Sequence, residues 1–158
     1  MTTNAAPAAG APISISSQAL GPIEVDPASA LTFTEPMAGF PRCGRYALIP
    51  HRRPDGREDE SVAWLQALEP AYHAFVVTDP WGIVPDYAPE IPDADAEELE
   101  LASFQDARVF GILTVPGDGA RISINLRAPV VVNVARRLAK QVVLLNDEYH
   151  TRHLIGRS

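Results

Sequence analysis

The sequence is poor in cysteine. Cys43 stands alone among 158 residues, so no internal disulfide can form, and no paired-cysteine spacing suggests a zinc site. Long apolar runs are missing too. The best of them, residues 130–134, is broken by Asn133 and falls far short of the roughly 20 residues that span a bilayer. The N-terminus has neither the basic start nor the continuous apolar stretch of a secretory leader. These absences read as a cytoplasmic protein that does not engage membranes. Cations are also in deficit. A formal charge of -7 argues against direct nucleic-acid binding, which relies on lysine and arginine displacing counterions from phosphates, and suits a basic partner instead.

What is present is a chain of one-domain size, long enough to bury a core unaided. Residues 1–12 offer little apolar bulk and are expected to form a disordered tail, residues 13–153 a single domain, and residues 154–158 a C-terminal tail. Two strands flanking a turn at Gly21-Pro22, followed by alternation over residues 30–34, predict an opening meander. Further strands are expected at residues 45–49, 62–68 and 73–78, with residues 51–60 as a mobile polar loop between the first two. Asp79-Pro80 ends the last of these. Pro116-Gly117-Asp118-Gly119 predicts a turn between strands at 108–115 and 121–126, and residues 130–134 and 140–145 a second hairpin, after which the chain turns polar and irregular. The fold expected is mainly β, a small antiparallel barrel-like domain, with one short acidic helix. That helix would be capped by Asp93 or Asp95 and run to about Ala102, with Leu99 and Leu101 giving it little apolar surface.

Charge is segregated along the chain. Between Asp86 and Asp106 there are eight acids and no lysine or arginine, and between Arg121 and Lys140 five bases and no acid. Each run is either a solvated face or a field that steers a partner. Candidate chemistry is sparse. His150 and His153 lack a rigid helical support that would make them a metal site, and Cys43, although flanked by Arg42 and Arg45, has no histidine base placed beside it. Gly117 and Gly119 precede no helix and no Gly-Lys-Ser/Thr ending, so they are not a phosphate loop. No catalytic residue, metal or cofactor is expected. Trp81, directly after Asp79-Pro80, either anchors an interface or folds under the 85–92 loop.

Several ordered blocks carry a resemblance: Leu31-Thr32-Phe33 with Gly39-Phe40-Pro41, Trp64-Leu65-Gln66-Ala67-Leu68, Ala74-Phe75-Val76-Val77-Thr78-Asp79-Pro80, Val109-Phe110-Gly111-Ile112-Leu113-Thr114-Val115, Asn125-Leu126-Arg127-Ala128-Pro129-Val130-Val131-Val132-Asn133 and Gln141-Val142-Val143-Leu144. Together they resemble the FliW family of bacterial flagellar assembly factors over residues 13–153. The chain departs from the family pattern in its N-terminal extension, in Met37-Ala38-Gly39-Phe40-Pro41, and in the longer 51–60 loop. The resemblance implies a non-enzymatic β-barrel protein with two mutually exclusive partners. One is newly made flagellin. The other is the translational repressor CsrA, which the flagellin-free protein would bind and antagonise, so controlling flagellin translation.

For flagellin, the matching strand-end residues are Asp79, Pro80 and Trp81 with Asn125, Leu126, Ala128 and Pro129. Pro129 removes one ladder donor and so suggests an edge open to an added strand, while Asn125 and Asn133 have the alternative of capping turns. For CsrA, the acidic helix offers Glu97, Glu98 and Glu100. A different class of reading is a ligand-binding barrel or flavin-type split-barrel enzyme, with Arg121, Arg127, Arg136 and Arg137 converging as a phosphate clamp.

Overall fold

A computed structural model describes residues 11–117 and 121–155. The expected tail up to residue 10, Asp118 and Gly119 of the expected turn, and residues 156–158 lie outside these. The chain opens with β1 (Ile13–Ser17) and β2 (Gly21–Val25), then runs through β3 (Ala30–Phe33), β4 (Arg45–Arg52), β5 (Glu58–Ala67), β6 (Ala74–Thr78), β7 (Ala107–Thr114), β8 (Ser123–Asn133) and β9 (Leu138–Gln141). A short α1 (Asp93–Glu98) lies between β6 and β7, and β10 (His153–Leu154) pairs with the start of β8.

From β3 to β9 each strand pairs antiparallel with the next, and β9 then closes the barrel by pairing parallel with β3. The parallel seam follows from arithmetic. In an up-and-down barrel of seven strands the first and last run the same way. Tyr46, Leu65, Val77, Phe110, Val130 and Val132 fill the interior. The meander expected at the start is instead a separate two-stranded ribbon. It packs Ile15 and Val25 against Ala47 and Leu68, and its Ser17 hydroxyl donates to the buried Gln66 carbonyl at 2.6 Å.

The polar stretch 51–60 is half strand, and the loop within it is only residues 53–57. β4 and β5 stay paired out to Arg52 and Glu58, across a register shift at Pro50 and His51. Likewise the two strands expected around Pro129 are one strand, β8. Its pairing with β7 skips: Phe110 faces Val130 and Ile112 faces Asn125, so four residues, Leu126, Arg127, Ala128 and Pro129, pass the single Gly111. Three extra residues is an odd number, and an odd slip turns a strand's faces over. Before the bulge the even residues Ile124 and Leu126 point to a second core outside the barrel; after it the even residues Val130 and Val132 point inside. β7 keeps its parity throughout, with Val109 and Leu113 outside and Phe110 and Ile112 inside.

The Asn125 side-chain carbonyl holds the bulge by accepting from the Arg127 and Ala128 amides at 3.1 and 2.9 Å. Proline suits Pro129, because its missing amide hydrogen falls near the gap in the β7 ladder. The edge beside Pro129 is not open. The Val142 amide donates to the Pro129 carbonyl and the Leu144 amide to the Arg127 carbonyl, at 2.9 and 3.0 Å, so the chain's own continuation covers it.

One barrel end is closed by aromatic packing. His73 stacks on Phe40 with ring centroids 3.8 Å apart, and its Nε2 meets the Tyr46 hydroxyl at 2.8 Å. Burial raises the Tyr46 pKa, so the phenol stays protonated in this contact. Burial also lowers the His73 pKa below 6.5.

Two consequences are measurable. A Cβ at Gly111 would collide with the Ile124 side chain, with Cγ1 at 2.7 Å, and Ile124 is wholly buried. Gly111→Ala should therefore cost about 1–3 kcal/mol by denaturant melting, and pairing it with Ile124→Val should recover part of that loss. The unfolded chain protonates His73 before the folded one does. Stability should be flat with respect to this group above about pH 6.5 and fall below it. His73→Gln should flatten the decline in thermal midpoint between roughly pH 6.5 and 5.

Candidate functional site

The structure brings the two flagellin-implicated blocks together. Thr78, at the end of β6, pairs with Gly111, and Gly111 faces the β8 bulge. Asp79 accepts the Trp81 amide at 2.9 Å and so caps a short turn of 3-10 helix, Pro80–Gly82. The Trp81 indole donates to the Tyr87 carbonyl at 2.8 Å, and the Tyr87 hydroxyl donates to the Leu126 carbonyl inside the bulge at 2.6 Å. A chain of polar contacts thus runs from the strand end to the bulge through Tyr87, whose hydroxyl pKa is raised by burial and by the field of Tyr149.

Within this assembly the individual residues have different fates. Pro80, Leu126 and Pro129 are buried, Asn125 and Ala128 are half-buried, and Asp79 is exposed. Trp81 is half-buried, its ring centroid 5.4 Å from that of Tyr87 and 6.4 Å from that of Phe104, which is 49% exposed. Of the two expectations for Trp81, the structure shows the packing onto the 85–92 segment. Trp81 also lines a groove with Asp79, Phe104 and Arg108.

The acidic helix is shorter than expected and differently capped. Pro92 occupies its N-cap position without a side-chain bond, and Leu99 ends it, followed by Glu100 at φ 57°. Six residues cannot sustain a helix alone. Tertiary contacts hold it. Leu99, expected to contribute little apolar surface, is completely buried in the second core, which is worth about 2 kcal/mol. Asn133 donates to the Leu99 and Glu100 carbonyls at 2.8 and 3.1 Å, capping the helix from β8.

Lys140 makes the third attachment. Its ammonium contacts Asp95 at 2.5 Å, Glu98 at 2.9 Å and, more loosely, Glu35 at 3.7 Å, with only 11% of the side chain exposed. Burial opposes its charge, and the hydrogen bonds and fields of Asp95 and Glu98 outweigh that, so its pKa rises. The Glu98 pKa falls, chiefly through the bond from Lys140. Asp95 is thus engaged with β9 rather than with the helix N-terminus. Of the three glutamates implicated in CsrA binding, Glu98 is committed to Lys140, Glu100 makes an exposed contact with Arg136 at 3.6 Å, and Glu97 faces solvent.

Other candidates disperse. The His150 carbonyl accepts the Leu126 amide, and His153 sits in β10 opposite Ile124. Among the described residues no three His, Cys, Asp or Glu side chains gather as metal ligands. Cys43 is buried, its thiol directed at the Arg45 carbonyl. The arginines of the supposed phosphate clamp do not converge. Arg127 lies in the bulge while Arg136 and Arg137 follow the far end of β8, about 20 Å along the strand.

The closed seven-stranded barrel places the chain in a fold class shared with a solved flagellar assembly factor. A crystal structure of the flagellar assembly factor FliW aligns with a TM-score of 0.78 at 30% identity, covering 91% of this chain and 97% of that one. The flagellar assembly factor FliW of Pseudothermotoga lettingae is 34% identical over 137 residues, 86% of this chain and 84% of that protein. That of Bdellovibrio bacteriovorus is 37% identical over 141 residues, 89% and 78% respectively. The family model described as FliW protein matches residues 14–155. The chain belongs to the FliW family.

Tyr87, Lys140 and Gly111 complete the site, and none stood out in the sequence. Lys140 carried a signal, as the last base of a cationic run in a chain with a long acidic stretch. Lys140→Met should cost about 1–3 kcal/mol, less than for a fully buried pair because Glu98 is one-third exposed. The Glu98 carboxylate contributes stability above about pH 4.5, lost as pH falls through its lower folded value. The Met variant should therefore show a shallower acid limb in urea melts.

Proposed function

We propose that this protein is a non-enzymatic, cytoplasmic assembly factor that binds flagellin and, when free of it, binds and antagonises the repressor CsrA, so coupling flagellin translation to flagellin stock. The observation that carries this reading is that Asp79 and Trp81 line one groove and that Trp81 is tied through Tyr87 to the Asn125–Pro129 bulge, with exposed acids of the helical segment on a different element. Flagellin is assigned to the groove, where Asp79 and Trp81 remain accessible. Asn125, Leu126, Ala128 and Pro129 act from behind it through Tyr87, and the buried Pro80 shapes the strand end.

CsrA is assigned to the acidic helix. Glu97, which faces solvent, and Glu100, in its exposed contact with Arg136, supply the outward charge, and an acidic surface docked beside an RNA-binding groove would disfavour incoming phosphates. The two assigned surfaces are linked through β8. The bulge lies in its middle, and Asn133 at its end holds the helix. Mutual exclusion can therefore pass through one strand instead of requiring overlapping footprints.

Purified protein mixed with cognate flagellin and CsrA should give two separate complexes by light scattering and no ternary one. Glu97→Gln combined with Glu100→Gln should weaken CsrA binding and spare flagellin binding, and Trp81→Ala should do the reverse. Failure to bind either partner at micromolar concentrations would sink the proposal.

A further inference from the structure

Three recesses meet at the barrel end where β7 begins, and all three share Arg108 and Phe110. One holds Trp81 and the half-exposed Phe104; a second lies over Leu48 and Ala63; the third reaches Leu31 and Val134, itself 51% exposed. The result is a track in which apolar side chains alternate with charged ones. At its centre the Arg108 guanidinium lies 4.8 Å from the centroid of the nearly buried Phe110 ring.

Arg52, Arg53, Arg57 and Arg136 each pair with a carboxylate, whereas Arg108, like Arg137 on the third recess, makes no ion pair among the described residues. Arg108 alone is shared by all three recesses and rests on an aromatic ring. The acids nearest on the rim, Glu58 and Asp59, are taken up by Arg52 and Arg53 at 3.6 and 3.9 Å. An exposed guanidinium resting on an aromatic face is an oriented cation with its planar fork free, the geometry that receives a carboxylate through two parallel bonds.

Resting on the flagellin assignment made above, we infer that the flagellin segment held here is an apolar stretch bearing a carboxylate, laid from the Trp81 groove across the barrel end, with that carboxylate on Arg108. The apolar wings bury its side chains, and the central cation fixes its register. Trp81 alone would supply affinity without specifying position; Arg108 supplies the position.

Calorimetric titration of cognate flagellin into the full-length protein tests this in wild type, Arg108→Lys, Arg108→Glu and Val134→Asp, with the thermal midpoint and CsrA binding of each variant as references. Arg108→Glu should weaken flagellin binding roughly tenfold or more, Arg108→Lys less, and Val134→Asp measurably, all with CsrA binding retained. Wild-type affinity should fall with added salt, and the fall should be smaller for Arg108→Glu. Undiminished binding by Arg108→Glu and Val134→Asp overturns the inference while leaving the flagellin assignment intact. No binding by wild type overturns both. A wild-type dimer that Arg108→Glu dissociates would make a second copy of the chain the occupant and overturn it as well.

Discussion

The fold depends on one strand facing two ways. β8 must supply Val130 and Val132 to the barrel interior and Ile124 and Leu126 to the core outside it, and no regular strand can present even-numbered residues to both sides. The bulge opposite Gly111 resolves the conflict by inserting an odd number of residues. Everything near it serves that inversion. Asn125 ties the loop of the bulge, and Gly111 leaves room for Ile124. Tyr87 bonds the Leu126 carbonyl, and residues 142–144 satisfy the carbonyls the bulge turns outward.

The same arrangement explains why the helix can be so short. α1 buries one large apolar side chain, Leu99, and depends for the rest on β8 and β9 through Asn133 and Lys140. An exposed pair such as Glu100 with Arg136 adds at most about 1 kcal/mol, so the hidden contacts decide its position. The outward glutamates are then displayed on an element whose placement is set by the barrel. The proposed regulatory surface and the proposed flagellin groove share one scaffold.

Much of the barrel was legible in the sequence, because alternation in segments such as Leu31-Thr32-Phe33 records burial on one face directly. The order of the blocks carried the family. Lost from view were features set by partners distant in sequence. Leu99 reads as an isolated leucine until the second core forms around it, and Lys140 reads as a solvated base until Asp95 meets it from 45 positions away. Pro129 signalled a break correctly, yet the strand continues through it because the bulge removes the need for its amide. The expected open edge failed for a related reason: the strand expected over residues 140–145 ends at Gln141, and the amides of Val142 and Leu144 continue past it to the carbonyls of the bulge.

The odd strand count also fixes when the barrel can come into being. Its seam joins Thr32 and Phe33 to Leu138 and Ala139, the opposite ends of the folded sequence. A chain emerging from the ribosome can zip β3 through β8 as successive neighbours, but it remains an open sheet with a raw edge at β3 until β9 has left the exit tunnel. The barrel is therefore completed by a single long-range closure. The short β9 that makes it also carries Lys140, so the acidic helix docks in the same late event.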